Sequence, residues 1–146
     1  MATMGQLYQE VILDHNRKPR NFRPMDGATR DAEGHNPLCG DRVHVWLRLD
    51  EGRIADVSFQ GEGCAISKAS ASIMTQELMG KTAEEARELF ERFHEVVTGR
   101  AAAETVSAKL GIFAGVSAFP MRVKCASLGW HTMKAALDGS DAASTE

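Results

Sequence analysis

Apolar side chains recur with helical spacing near the start of the chain. Within residues 4–16, Leu7 and Val11 fall on one face of a helix, and Pro19 marks its end. The stretch that follows is rich in Pro, Gly, Asn and Asp, which predicts a long loop with one short strand around residues 27–33.

Apolar and polar residues alternate strictly over residues 42–49, and the pattern resumes over residues 53–60. Alternation of this kind predicts strands with one buried face. Asp50, Glu51 and Gly52 lie between the two segments and are typical of a tight turn. The two segments are therefore predicted to form an antiparallel hairpin.

Helical periodicity replaces the alternation after Cys64. The apolar positions predict a helix that ends near Gly80, since glycine is a common C-terminal cap. Thr82 and Glu85 have the spacing of a capping box, in which each side chain bonds the other residue's backbone N–H. They open a second helix, which is predicted to end near Gly99.

The C-terminal third of the chain is less regular. Residues 100–119 are too apolar for an exposed linker, but glycines interrupt any period, so a packed and irregular segment is expected. A last helix is predicted from Cys125 to about Leu137. Residues 139–146 are small and polar, and they are expected to form a disordered tail.

This order of elements predicts an α+β fold, with a small antiparallel sheet of about three strands covered on one face by helices. At 146 residues the chain has the length of one domain. That single domain is predicted to span residues 4–138.

Composition narrows the class of protein. Hydrophobic residues make up 43% and charged residues 25%, and the net charge of −3 gives no electrostatic basis for binding nucleic acid. No apolar run reaches the ~18 residues of a membrane-spanning helix. Polar residues interrupt the N-terminus too early for a signal peptide. A cytoplasmic protein with no membrane or nucleic-acid partner is expected.

Three cysteines, Cys39, Cys64 and Cys125, cannot all pair in disulfides within one chain. Asp41 follows Cys39 at a spacing of two, and in an extended chain such residues face the same side. A thiolate and a carboxylate can therefore reach one ion. Gly40 between them permits close approach of the backbone and mobility.

Cys64 and Cys125 both lie at predicted helix starts, where the partial positive charge of a helix N-terminus lowers the pKa of a thiol. Core packing is the ordinary role of a single cysteine and could account for either residue alone. It does not account for their shared placement, or for Cys39 in a loop of Pro, Gly and Asp. The cysteines and Asp41 are therefore interpreted as a metal site.

Three thiolates and one carboxylate suit zinc or the irons of a cluster, and they suit Mg²⁺ or Ca²⁺ poorly. The cysteines lack zinc-finger spacing, so the fold must assemble the site. Four anionic ligands exceed the charge of one divalent cation by two. Arg122 and Lys124, beside Cys125, are the candidate compensating cations.

These residues lie in motifs that closely resemble the U-type iron–sulfur cluster assembly scaffold family, and within it the SufU branch more than the IscU branch. The resemblance extends over about residues 5–137. Four segments carry it: Asp14-His15-x-x-x-Pro19-Arg20-Asn21, Asn36-Pro37-x-Cys39-Gly40-Asp41, Gly61-x-Gly63-Cys64-x-Ile66-Ser67-x-Ala69-Ser70, and Arg122-x-Lys124-Cys125.

The resemblance implies that Cys39, Asp41, Cys64 and Cys125 bind a zinc ion or a transient two-iron cluster. It implies the same α+β fold. It also implies that a pyridoxal-phosphate cysteine desulfurase supplies sulfur and that apo iron–sulfur proteins receive the product.

Three departures from the IscU pattern point toward SufU. Lys124 stands where IscU proteins carry a histidine. Phe119-Pro120-Met121-Arg122-Val123 replaces their Leu-Pro-Pro-Val-Lys chaperone-recognition segment, and 60 residues lie between Cys64 and Cys125, with the surplus around residues 100–119. These departures argue against a dedicated Hsp70-type chaperone partner.

Four hypotheses for the function follow. In the first, the chain is a scaffold for a nascent cluster, with Asp41 as the labile ligand. In the second, it is a zinc-dependent sulfurtransfer protein that activates the desulfurase, and Cys39 is the persulfide acceptor. In the third, zinc is purely structural. The fourth is a cysteine hydrolase with His35 as its base, although no oxyanion-hole motif accompanies it.

Overall fold

The computed structural model describes residues 3–140 and 142–144. Two 3-10 helices, Ala103–Thr105 and Ile112–Ala118, flank the short helix Ala108–Gly111. In chain order the helices and strands are α1 (Met4–Arg17), β1 (Arg30–Asn36), β2 (Asp41–Asp50), β3 (Arg53–Glu62), α2 (Ala65–Leu78), α3 (Ala83–Val97), α4 (Ala108–Gly111), α5 (Pro120–Leu137) and β4 (Ala142–Ser144).

The described strands form one sheet in the order β3-β2-β1-β4. β1 pairs with β2, and β2 with β3, in antiparallel register, so that Val45 lies opposite Ala32 on one side and Phe59 on the other. All three residues are buried, because α5 packs on β1 and β2 and α2 packs on β3. Arg42 and Trp46 point to the opposite face. The predicted α+β class, hairpin and alternation are confirmed.

The fourth strand is the main departure from the predicted sheet. Ala142–Ser144 pairs in parallel with β1, and Glu33 lies opposite Ala142. The sequence predicts a disordered tail over 139–146, whereas the structure takes one short strand from it; positions 141, 145 and 146 lie outside the described residues. A run of small residues contains no local signal for this pairing. The pairing depends on the position of the end of α5, which places the following residues beside the edge of β1.

A polar network after α1 ties this helix to α2. His15 is 1% exposed, and its Nδ1 lies 2.7 Å from the Ser72 hydroxyl, which accepts a hydrogen bond from the Arg20 N–H at 2.8 Å. Asn21 Nδ2 donates to Thr75 Oγ1 at 2.9 Å. The first of the sequence motifs therefore has a structural role, which is to fix α1 along α2.

Helices α2 and α5 pack closely against each other beneath the sheet. The Ser70 hydroxyl donates to the Ala126 carbonyl and accepts from Trp130 Nε1 at 3.2 Å. Gly129 permits the close approach, because a Cβ at this position would lie 3.0 Å from the Ala71 Cβ. Cys64 lies at the start of α2 and Cys125 lies within α5. The two helices are thus held at a fixed separation.

The segment between α3 and α5 is packed and irregular, as predicted. Leu110, Phe113 and Val116 are buried in the core. The ring of Phe113 meets Tyr8 edge-on, with ring centroids 5.9 Å apart, and it meets Phe93 in the same way at 5.8 Å. The extra length of this segment therefore covers the first turns of α1.

The last helix begins at Pro120, five residues before the predicted start at Cys125. Proline suits the first position of a helix because it lacks the N–H that would be unpaired there and because its φ is already helical. The prediction is wrong because it does not use this signal. The error matters for the cysteine, which lies well inside the helix.

Other helix boundaries follow local signals. Thr82 and Glu85 exchange side-chain hydrogen bonds with each other's backbone N–H, which confirms the predicted capping box. α2 ends just before Gly80, whose φ is +81°. Within residues 3–140 and 142–144, no helix is both long enough and apolar enough to cross a membrane.

Candidate metal centre

Cys39 lies on the turn between β1 and β2. The Asn36 carbonyl accepts a hydrogen bond from the Gly40 N–H at 2.9 Å, and the Asn36 side-chain oxygen accepts one from the Leu38 N–H at 3.2 Å. Gly40 has a φ of +78°, a conformation that glycine adopts without strain. The turn presents Cys39 as an exposed residue at the end of the sheet.

Asp41 is the first residue of β2 and is 2% exposed. Its Oδ1 accepts a hydrogen bond from the Cys64 N–H at 3.0 Å, and its Oδ2 lies 3.6 Å from Cys64 Sγ. Gly63 leaves the room for this contact, because a Cβ at that position would overlap the carboxylate. The carboxylate is therefore fixed against the start of α2.

Cys64 is the N-cap of α2, and its Sγ accepts a hydrogen bond from the Ser67 N–H at 3.4 Å. A hydrogen bond from the Cys125 thiol lowers the pKa of Cys64 to about 7, and the N–H groups of the first turn act in the same direction. The predicted helix-start environment of Cys64 is confirmed.

Cys125 is buried and is the sixth residue of α5. The effect of the helix dipole fades within the first turn, so the predicted lowering of its pKa is wrong. Its hydrogen bond to Cys64 and its burial instead raise the pKa of Cys125. Cys64 is therefore the more acidic thiol of the two, and Cys125 is the less acidic one.

Cys39 completes the group from the opposite side. Its Sγ lies 3.8 Å from Cys125 Sγ. Partial removal of the sulfur from water raises the pKa of Cys39. Of the three cysteines, only Cys39 is exposed.

Three of the four residues singled out from the sequence lie close together, and the fourth, Cys64, lies beside Asp41. Ligand atoms of Cys39, Asp41 and Cys125 all lie within 4.8 Å of one another, and Cys64 adjoins them through Asp41. Three sulfurs and a carboxylate oxygen form a donor set that fits zinc or iron, and two of the four residues, Asp41 and Cys125, are buried. That these four atoms bind the same ion remains a prediction.

The candidate cations lie at the edge of this group. Arg122 is exposed and stacks its guanidinium 4.4 Å from the centre of the Phe119 ring, and Lys124 is half-buried. Among the described residues, neither side chain forms a hydrogen bond or ion pair with the cysteines or Asp41. Their role in balancing charge remains a prediction.

The histidines do not form a catalytic pair with a cysteine. His35 is exposed on β1, and His44 lies on the outer face of the sheet, where it contacts Asp31 at 2.7 Å and stacks on Trp46. Within the described part of the chain, no histidine hydrogen-bonds to a cysteine. The hydrolase hypothesis therefore has no structural support.

Sequence reasoning missed two residues that border the group. Asn36 is fully buried and lies opposite Asp41 in the sheet. Tyr8 lies on α1; burial raises the pKa of its hydroxyl, the charge of Arg122 opposes this, and the charges of Cys64 and Cys125 raise the pKa further. Asn before Pro is a known turn signal that could have identified Asn36. No local signal distinguishes Tyr8 from an ordinary core tyrosine.

Comparison with known proteins identifies relatives of this chain. Residues 7–126 match the model of the NifU-like N terminal domain. The chain is 38% identical over 137 residues to the zinc-dependent sulfurtransferase SufU of Bacillus subtilis (strain 168), an alignment that covers 91% of this chain and 90% of that protein. It is 37% identical over 141 residues to the iron–sulfur cluster assembly scaffold protein IscU of Streptococcus pyogenes serotype M1, covering 96% and 88%.

A solved structure shows the same fold. It is the crystal structure of an iron–sulfur cluster assembly scaffold protein for the SUF system from Fervidobacterium islandicum AW-1. That structure superposes with a TM-score of 0.83 at 37% identity and covers 90% of this chain and 96% of its own. Relatives that carry the IscU name and the SufU name are thus similar to this chain to the same degree.

Proposed function

The chain belongs to the family of NifU-like N-terminal domains, and from this membership we propose that it serves iron–sulfur cluster assembly. Its cysteine centre would accept sulfur from a cysteine desulfurase and hold a nascent two-iron cluster as cargo. A second reading, zinc-dependent sulfurtransfer that activates the desulfurase without storing a cluster, is favoured by the exposure of Cys39.

One observation supports the proposal most directly. Ligand atoms of Cys39, Asp41 and Cys125 lie within 4.8 Å of one another, with Cys64 beside them. These side chains come from three distant segments of the chain, so the fold itself brings them together. Zinc bound by them would keep the sulfurs as thiolates at neutral pH.

The sulfur-accepting step assigns one role to Cys39. Its thiolate would attack the outer sulfur of the desulfurase persulfide, forming a new S–S bond on Cys39. The old S–S bond breaks, and its electron pair leaves with the desulfurase cysteine as a thiolate. Cys39 suits this role because it is exposed on a turn, whereas Cys125 is buried and Cys64 caps a helix.

The cargo is tested by metal analysis and visible absorption of the purified protein. A brown protein with iron and sulfide supports the scaffold. A colourless protein with one zinc per chain supports sulfurtransfer. A protein that binds neither zinc nor a reconstituted cluster would overturn both readings.

The acceptor is tested by incubating the protein with a cysteine desulfurase and cysteine, followed by mass spectrometry of the peptides. One added sulfur is expected on Cys39, and the Cys39→Ser variant should gain none. Sulfur found only on Cys64 or Cys125 would contradict this assignment. A structural zinc module predicts no modification of any cysteine in the folded protein.

In the scaffold hypothesis, Asp41 is the ligand that binds the cluster less strongly than the cysteines do. Asp41→Ala is therefore expected to lengthen the lifetime of a reconstituted cluster and to slow its transfer to an apo-ferredoxin. Transfer at the same rate as in the unchanged protein would contradict the role of Asp41.

The partners follow from the same chemistry. We propose a cysteine desulfurase as the sulfur donor and apo iron–sulfur proteins as recipients, in the cytoplasm. The segment Phe119–Val123 gives no basis for a dedicated Hsp70-type chaperone. Residues 4–138 are proposed to form the single functional domain.

A further inference from the structure

Three buried side-chain atoms have no hydrogen-bond partner among the described residues: Tyr8 Oη, Asn36 Nδ2 and Ser58 Oγ. Buried polar groups in folded proteins are nearly always paired, so each exception calls for a physical reason. Two of the three, Tyr8 and Asn36, border the cysteine centre, and each is able to donate a hydrogen bond.

Asn36 is placed by the sheet. It is 0% exposed and lies directly opposite Asp41 in the β1–β2 pairing, so both side chains are on the inner face at the same end of the sheet. Its Oδ1 is used by the Leu38 N–H in the turn that carries Cys39. This leaves only the amide nitrogen for a further partner, at the end of the sheet where Asp41 lies.

The packing of α1 against α2 sets the position of Tyr8. His15 fixes the end of α1 against the middle of α2, and Tyr8 lies two turns earlier on α1. Burial raises the pKa of its hydroxyl, the charge of Arg122 lowers it, and the charges of Cys64 and Cys125 raise it, so the hydroxyl lies within reach of both cysteines and of Arg122. Phe113 packs edge-on against its ring and holds it in place.

A loaded centre would carry three thiolates, which accept hydrogen bonds more strongly than the thiols of the free protein do. Three thiolates and one carboxylate exceed a divalent cation by two charges, and sulfur ligands accept hydrogen bonds from nearby donors. Donors around a metal ligand raise the affinity of the site, and their loss typically costs 10–100-fold. Arg122 is exposed and stacks on Phe119, whereas the donor atoms of Tyr8 and Asn36 are buried.

We propose that the Tyr8 hydroxyl and the Asn36 side-chain amide are hydrogen-bond donors to the sulfur atoms of the metal-loaded centre. In the free protein both donors lack an acceptor among the described residues; on loading, the thiolates supply it. Both are positioning residues, since they act through the ligands. The inference rests on the proposed function, because it requires that the centre bind a metal.

Tyr8→Phe removes only the hydroxyl. Its effect can therefore be compared between the metal-free protein and the metal-loaded protein. In the free protein that hydroxyl is unpaired and buried, so its loss should leave the thermal midpoint unchanged or raise it. In the loaded protein the loss should lower zinc affinity by about tenfold. Ser58→Ala is the matched control: it removes the other unpaired hydroxyl, on β3 opposite Trp46, and should leave zinc affinity unchanged.

The measurement is titration with Co²⁺ and Zn²⁺ against a chromophoric chelator. With Co²⁺, the near-ultraviolet sulfur-to-metal charge-transfer band reports directly on the ligands. Loss of a hydrogen bond to sulfur should move this band to longer wavelength in Tyr8→Phe but not in Ser58→Ala. A merely structural role for Tyr8 would lower affinity without moving the band.

Asn36→Asp is the second variant. It keeps the oxygen that accepts from the Leu38 N–H, removes the donor and adds a charge beside Asp41. It should therefore weaken zinc binding more than Tyr8→Phe does. Unchanged zinc affinity and an unmoved band in both variants would overturn the inference, whereas failure of the unchanged protein to bind Co²⁺ or Zn²⁺ would instead overturn the proposed function.

Discussion

Cys64 and Cys39 contribute to the same centre but are held in different ways. The sulfur of Cys64 caps α2 and accepts the Ser67 N–H, while its backbone N–H is bound by Asp41. The sulfur of Cys39 lies on an exposed turn that closes through a glycine of positive φ, and its near neighbour is Cys125 at 3.8 Å.

This difference teaches how one centre can both retain an ion and release a ligand. Contacts on the Cys64 side come from an element anchored in the core, so its position is set by the fold. The Cys39 side depends on two hydrogen bonds within a four-residue turn, and local opening of such a turn costs little. Substitutions that affect one side and not the other test the distinction.

The largest effect is expected from Gly63→Ala, on the anchored side. A Cβ at this position would overlap the Asp41 carboxylate, and the φ of +149° is unfavourable for any other residue. We expect the free energy of unfolding to fall by about 3 kcal/mol and zinc affinity to fall more than tenfold. Urea unfolding and chelator competition measure the two effects. A variant that bound zinc normally would show that Asp41 is not fixed by this contact.

The second largest effect is expected from acid, which should lower the stability of the anchored side of the centre. Burial, and then the charges of Arg20 and Lys109, lower the pKa of His15 to about 4, while Asp14 opposes them. The unfolded state has a histidine pKa near 6.5, so between these values only the unfolded state binds the proton, and stability falls as pH falls. The loss from pH 7 to pH 5 should be about 1–2 kcal/mol.

Urea unfolding across this pH range measures the loss. His15→Gln should flatten the profile, with a smaller slope remaining because burial also lowers the pKa of His131. Amide exchange should increase in α1 and α2 before it does so in the Cys39 turn. An equal slope in His15→Gln would exclude His15 as the source.

A smaller effect is expected from Gly40→Ala, on the mobile side. The space around Gly40 is open, so only the φ of +78° opposes a side chain. The free energy of unfolding should fall by about 1 kcal/mol. Zinc affinity should change much less than in Gly63→Ala, whereas sulfur transfer to Cys39 should slow because the turn is less mobile. Equal losses of zinc affinity in the two glycine variants would remove the distinction between the sides.

The smallest effect on the metal-free protein is expected at Cys64. Cys64→Ala removes the helix cap and should destabilise the free protein by about 0.5 kcal/mol, since sulfur is a weak acceptor. Cys64→Ser keeps an acceptor and should be as stable as the unchanged protein. Both should lose zinc affinity by chelator competition, which separates the capping role from the ligand role. A destabilised serine variant would contradict the capping account.

Local signals predicted the elements that they specify, and tertiary contacts decided the rest. The capping box at Thr82, the hairpin around Gly52 and the helix start at Cys64 depend on neighbouring residues, and each was predicted. The strand Ala142–Ser144 depends on a partner more than a hundred residues away, and the sequence contains no local indication of it.

The candidate centre shows the same contrast between local signals and tertiary contacts. Cysteines and Asp41 could be grouped from chemistry and family resemblance, because ligand types are visible in the sequence. The environment of Cys125 could not be predicted, since it depends on the helix beginning at Pro120 and on the proximity of Cys64, which raises the pKa of Cys125. Tyr8 and Asn36 reach the centre only through packing of α1 and through strand register.

The close contact of α2 and α5 at Gly129 bears on ionic radius. Because the helices pack closely there, the separation between Cys64 and Cys125 is set by the two helices and would not be set by an ion bound at the proposed centre. A pair of ligands with a fixed bite discriminates by size, and the mobile Cys39 can adjust only on the remaining side. Gly129, which touches no ligand, is therefore a position from which the selectivity of the centre among metals can be altered.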